Sequence, residues 1–103
     1  MISTPMGKSI LVTGAGSRVG SILAEGLADD GWRVAIHYNR SHKSADALVD
    51  NIRKKDGFAV AVGANLNVPS DLSSLVNRAA LSLGQPLTAL INNASTFSPD
   101  EAE

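Results

Sequence analysis

The sequence predicts an α/β fold, a doubly wound parallel sheet, and three observations predict it. Short apolar runs alternate with stretches of helical period along the chain. The runs carry almost no polar residue on either face, as strands covered on both sides by crossover helices do. The first run ends in a glycine-rich turn that leads straight into a helix, the join that opens a nucleotide-binding unit.

Each element can be justified in order. Ser9-Ile10-Leu11-Val12-Thr13 reads as a buried first strand. After the turn from Gly14 to Gly20, Val19, Ile22, Leu23, Gly26 and Leu27 recur at helical spacing, and Gly31 closes that helix. Arg33-Val34-Ala35-Ile36-His37 is the second strand. A polar turn, Asn39-Arg40-Ser41, leads to a helix with Ala45, Leu48, Val49 and Ile52 on one face. Lys54 and Lys55 complement its C-terminal dipole, and Gly57 ends it. Phe58 to Val62 is the third strand and Asn65 to Asn67 a loop. Pro69-Ser70-Asp71 opens a third helix whose apolar face is Leu72, Leu75, Val76, Ala79 and Leu83, with Gly84 and Pro86 ending it. Leu87 to Ile91 is a fourth strand, followed by Asn92-Asn93-Ala94. Right-handed crossovers in this alternation give the strand order 3-2-1-4, a Rossmann-type sheet in its N-terminal portion only.

The tail reads as an unfinished element. Ser98-Pro99-Asp100-Glu101 has the form of a helix start, with an N-cap Ser, Pro at N1 and Glu at N3. The fourth strand would also be left as an apolar edge, which proteins normally cover. The expectation is one domain over residues 1–103, truncated before a catalytic half.

Composition narrows the function. The chain has 103 residues, enough for one modest core, and a formal net charge of -1, which offers nothing to nucleic acid or an anionic membrane. It has no cysteine, which removes disulfides, thiolate metal sites and a cysteine nucleophile, and its two histidines are too few for a histidine metal site. No metal is expected. No apolar stretch approaches the roughly 20 residues of a membrane helix, and the N-terminus has no signal-peptide core, so the expected location is cytoplasmic.

The glycine turn carries the binding chemistry. Backbone amides at a helix N-terminus, unobstructed by side chains, attract phosphate. Gly14 permits the tight turn and Gly20 lets the helix approach the sheet, and Gly14, Val19 and Gly20 are expected to contact the cofactor. The loop is neither the plain G-x-G-x-x-G fingerprint nor a mononucleotide P-loop, because Val19 replaces a glycine and no Lys-Ser/Thr follows. The end of the second strand selects the cofactor. An acid there would hold a ribose 2′-hydroxyl, whereas an arginine accommodates a 2′-phosphate. The segment His37-Tyr38-Asn39-Arg40-Ser41 has no acid. Arg40, with Arg18 in the turn, offers bidentate charge-assisted bonds, and Ser41 a hydroxyl. The residues therefore favour NADP(H) over NAD(H). His37 and Tyr38 either flank the adenine-ribose or simply end the strand.

Together these residues resemble the short-chain dehydrogenase/reductase family. Thr13 to Gly20 matches its T-G-x-x-x-[G/R]-x-G turn, and Asn92-Asn93-Ala94-Ser95 its N-N-A-[G/S] element. Within that family the chain is most similar to pteridine reductases, through Arg18, the His37-Tyr38-Asn39-Arg40-Ser41 segment and Asn93-Ala94-Ser95-Thr96-Phe97. The resemblance implies that Asn93, Ala94 and Ser95 line the cofactor. It implies that Ser95 and Phe97 meet a carbonyl or pterin-like substrate, Phe97 by stacking on a flat ring. Asn65-Leu66 stands where the family commonly has Asp and an aliphatic residue contacting adenine, and the Asn65 carbonyl can accept the same bond.

No residue of this chain is expected to be catalytic. The family's Tyr-x-x-x-Lys pair has no counterpart here, since Tyr38 is followed four residues on by His42. The resulting expectation is the cofactor-binding part of an NADPH-dependent oxidoreductase, homo-oligomeric and inactive by itself. The alternative is an inactive stand-alone nucleotide-binding or assembly module that pairs through its fourth strand. A response-regulator-like domain is set aside, because the first strand lacks the acidic cluster it would need.

Overall fold

The computed structural model describes residues 8–14, 18–39, 42–65 and 68–92. They form β1 (Ser9–Thr13), α1 (Arg18–Asp29), β2 (Arg33–Tyr38), α2 (His42–Lys54), β3 (Phe58–Gly63), α3 (Pro69–Leu83) and β4 (Ala89–Asn92). The four strands make one parallel sheet in the order β3-β2-β1-β4, as the alternation requires. The helix start expected at residues 98–101 lies outside the described residues.

Position in the sheet explains the strand sequences. β1 is buried along its whole length and β2 at its four central residues, so both read as unbroken apolar runs. Among the described residues β3 and β4 are the outer strands and are less completely buried, β4 with a strict alternation of half-buried and exposed residues. Leu90 on β4 is left 53% exposed.

The helices divide between the faces. Ile10, Val12, Val34, Ile36 and Ala59 pack with Ala24 and Ala28 of α1 and with Ala45, Leu48, Val49 and Ile52 of α2. The alternate strand residues Leu11, Ala35 and Val62 pack with Leu75, Ala79 and Leu83 of α3 on the other face. Each large aliphatic buried this way contributes about 1.5–3 kcal/mol. The stripe expected on α2 is the one buried. On α3 the expected Val76 is exposed, and the side chain of Leu72 lies outside what is described.

The buried face of α1 corrects the sequence expectation. Gly20, Ala24 and Ala28 face the sheet, while Val19 and Ile22 are 59% and 64% exposed and Leu23 and Gly26 lie outward as well. Only Leu27 of the expected stripe packs against the core, and it is partly buried. The strands supply the bulk here, through Ile10, Val12 and Ile36, so the helix must supply small residues to come close.

Helix ends also differ in one detail. Gly31 (φ 92°) and Gly84 (φ 79°) take the left-handed conformation that closes α1 and α3. At the end of α2 that conformation falls on Asp56 (φ 68°) and not on Gly57. The Gly57 N–H instead returns to the Ile52 carbonyl at 2.9 Å, the outer bond of the same cap. Among the described residues no helix is long and apolar enough to cross a membrane.

Candidate functional site

Parallel strands bring all four carboxyl ends to one rim. The register pairs Thr13 with Asn92 and Tyr38 with Gly63, so the ends of β1 and β4, and of β2 and β3, lie level. The chain leaves β1 toward α1 on one face and reaches β4 from α3 on the other. The gap between β1 and β4 is therefore the switch point of the sheet, where open α/β folds place ligands.

Gly14 turns the chain at this point. Its φ of 68° is in the left-handed region, which a Cβ would strain. α1 then starts at Arg18 with no acid in its first turn. The first amides of a helix have no intrahelical acceptor, and the positive dipole end lies with them. Arg18 is exposed, and Gly20, one turn in, is buried against the sheet. Val19 faces solvent. A strand end, a left-handed glycine and an acid-free helix start suit an anion such as a pyrophosphate.

The ends of β1 and β4 are joined by side chains as well as by the ladder. The Thr13 hydroxyl, buried, donates to Asn92 Oδ1 at 2.9 Å. Neither residue was expected at the site, although both lie in the segments that carried the resemblance.

The ends of β2 and β3 are joined on both faces. Tyr38 lies against Gly63, where an added Cβ would stand 2.8 Å from the ring Cζ. Its ring also meets the His42 ring edge-on, with centroids 6.3 Å apart. On the α3 face, His37 is buried and its Nε2–H donates to the Ala64 carbonyl at 2.8 Å, which puts the proton on Nε2. Burial pushes the His37 imidazole below its ordinary value, against a smaller opposing effect of the Ala64 bond. The Asn65 N–H donates to Asp71 Oδ2 at 3.2 Å, and Arg78 Nη2–H donates to the Gly63 carbonyl at 2.8 Å, so α3 holds the same loop.

Of the residues expected from sequence, the structure thus brings Gly14, Arg18, Val19, Gly20, His37, Tyr38 and Asn65 to one rim. Arg40, Ser41, Leu66, Asn93, Ala94, Ser95 and Phe97 lie outside the described residues. Thr13, Gly63, Ala64, Asp71, Arg78 and Asn92 are the additions. Side-chain bonds between residues far apart in sequence bring most of these to the rim, and a local pattern does not register such bonds.

Comparison with known proteins agrees with this geometry. The profile of the short chain dehydrogenase family matches residues 8–103. The 3-oxoacyl-[acyl-carrier-protein] reductase FabG of Staphylococcus aureus is 35% identical over 89 residues, covering 86% of this chain and 36% of that protein. A hydroxynaphthalene reductase-like protein of Metarhizium majus is 37% identical over 97 residues, covering 92% of this chain and 36% of its own. Among solved structures, the FolM alternative dihydrofolate reductase 1 from Brucella canis, complexed with NADP, superposes with a TM-score of 0.79 at 39% identity. That match covers 87% of this chain and 35% of the Brucella chain. The chain thus spans about a third of the length of these relatives.

Proposed function

The chain belongs to the short-chain dehydrogenase family, and on that premise we propose that it forms the NADP(H)-binding portion of a reductase acting on a carbonyl or pterin-like substrate. The single observation that carries the reading is the join from Thr13 through the left-handed Gly14 to the acid-free start of α1, at the switch point between β1 and β4. That join fits the pyrophosphate of a dinucleotide.

The remaining roles follow from position. Arg18 and Arg40, with Ser41, read the 2′-phosphate, because the end of β2 offers no acid to a 2′-hydroxyl. Asn65 and Leu66 meet the adenine. Asn93, Ala94 and Ser95, after β4, line the nicotinamide side, and Ser95 with Phe97 meets the substrate. The reductase names of the Staphylococcus and Brucella relatives, and the NADP in the Brucella complex, support this assignment. When bound, the cofactor supplies the hydride. The 103 residues supply binding and orientation, and none is assigned to proton transfer. Alone, the chain is expected to bind and not to turn over.

Calorimetric titration with NADPH and, separately, NADH tests the reading. Saturable NADPH binding, tighter than NADH by about tenfold or more (roughly 1.4 kcal/mol), supports it. Equal affinities sink the 2′-phosphate assignment. Binding of neither moves the chain to an assembly module that pairs through β4.

A further inference from the structure

Ala64, the first residue past β3, is bound through both of its backbone polar groups to β2. Its N–H donates to the Tyr38 carbonyl at 3.1 Å, which continues the parallel ladder one step beyond the Tyr38–Gly63 pair. Its carbonyl accepts from His37 Nε2–H at 2.8 Å. The carbonyl is thus held by a side chain of β2 close to the strand's end at Tyr38.

Histidine is an expensive residue for this place. The side chain is 4% exposed, and its Nδ1 is buried with no hydrogen-bond partner among the described residues. A buried, unsatisfied acceptor is destabilising, and an apolar side chain of similar size would avoid it. What histidine supplies and an apolar residue cannot is an N–H for the Ala64 carbonyl.

We propose that His37 is a positioning residue: by holding the Ala64 carbonyl, its Nε2–H fixes the loop that begins at Asn65 against the end of β2 that leads to Arg40 and Ser41, without itself touching the nucleotide. The inference rests on the reading of this rim as an NADP(H) site. It deepens that reading by tying the adenine side to the 2′-phosphate side through a side-chain bond that stands beside the Ala64–Tyr38 backbone bond. Asp71 and Arg78 hold the same segment from α3, and the Ala64 N–H stays on the Tyr38 carbonyl, so loss of the His37 bond frees the Ala64 carbonyl alone and loosens the segment without detaching it.

The test compares the full wild-type chain with His37→Gln and His37→Leu. Glutamine Nε2 reaches about as far as the imidazole Nε2 and keeps a donor, whereas leucine keeps bulk without one. The probe is adenosine 2′,5′-bisphosphate, which carries the adenine and the 2′-phosphate and no nicotinamide. The expected result is binding weakened about tenfold in His37→Leu, the upper end of what one hydrogen bond commands, and restored to within about threefold of wild type in His37→Gln. A folded His37→Leu that binds as wild type overturns the proposal, as does a His37→Gln that binds no better than His37→Leu. Without any nucleotide, amide exchange at Ala64 is expected to quicken in His37→Leu and not in His37→Gln, and unchanged exchange also overturns it. Wild type that shows the exchange pattern but does not bind the bisphosphate sinks the site reading and leaves the clasp intact. Should His37→Leu fail to fold, ring nitrogen shifts of wild type decide: a neutral Nε2–H tautomer is expected, and an Nδ1–H tautomer overturns the proposal.

Discussion

The Thr13 hydroxyl donates to Asn92 Oδ1 at 2.9 Å, across the level ends of β1 and β4 and 79 residues apart in sequence. The bond fastens the two strands that border the switch point, one leading into the glycine turn and the other into Asn93. Thr13 is buried and Asn92 exposed, so a Thr13→Val change removes the bond while leaving Asn92 free to turn to water. The expected loss is about 1 kcal/mol of unfolding free energy, the net worth of one such bond. Urea denaturation of Thr13→Val, Asn92→Ala and the double variant measures it. Strictly additive single effects would mean that the two side chains do not support one another.

Tyr38 and Gly63 fit together because one of them has no side chain. A Cβ on Gly63 would lie 2.8 Å from Tyr38 Cζ and 2.9 Å from its hydroxyl oxygen, closer than van der Waals contact permits. Gly63→Ala is therefore expected to push the ring off the end of β3 and destabilise the chain by about 1–2 kcal/mol. The same substitution in a Tyr38→Ala background is expected to be nearly neutral, since the space is then open. Equal destabilisation in both backgrounds would trace the effect to the β3 backbone and not to the ring.

Much of this was legible in the sequence, and the parts that were not share a cause. β1 and β2 were readable because burial on both faces leaves no alternation to misjudge. The stripe of α2 was readable because its large residues are the buried ones. On α1 the logic inverts: size marked Val19, Ile22 and Leu23, but the close approach of helix to sheet selects Gly20, Ala24 and Ala28. At the rim, the glycine turn and the acid-free end of β2 were visible as local patterns. The Thr13–Asn92 and His37–Ala64 bonds were not, because each joins residues that meet only once the sheet is assembled.

Asp56 is a residue whose replacement should stabilise the chain. It is exposed and holds φ at 68°, a conformation that a non-glycine residue adopts at a penalty of about 1 kcal/mol. It also places a negative charge just past the C-terminal end of α2, where the dipole is already negative. Asp56→Gly removes both effects and gives back part of the gain through the freer unfolded chain. The expected net is about 0.5–1 kcal/mol, or a rise in Tm of roughly 2–8 °C for a domain of this size. A scanning calorimetry trace with Tm unchanged or lower would show that Asp56 makes a compensating contact.

The buried imidazole of His37 gives the fold an acid sensitivity of defined sign. Burial lowers its pKa in the folded chain, and protonation would add an Nδ1–H that has no acceptor among the described residues. Asp71 and Arg78, which reach the same strand end from α3, are both engaged with backbone groups. The unfolded chain, with a histidine pKa of about 6.5, then binds the proton more readily than the folded one. Between the two values the unfolding free energy rises with pH. This contribution is therefore fully present above about pH 6.5 and is lost as the pH falls through that value toward the lowered folded pKa. Urea unfolding at a series of pH values from 8 to 5 should show the decline in wild type and a flatter profile in His37→Gln, which keeps the donor and cannot titrate. Parallel profiles would assign the acid sensitivity to groups other than His37.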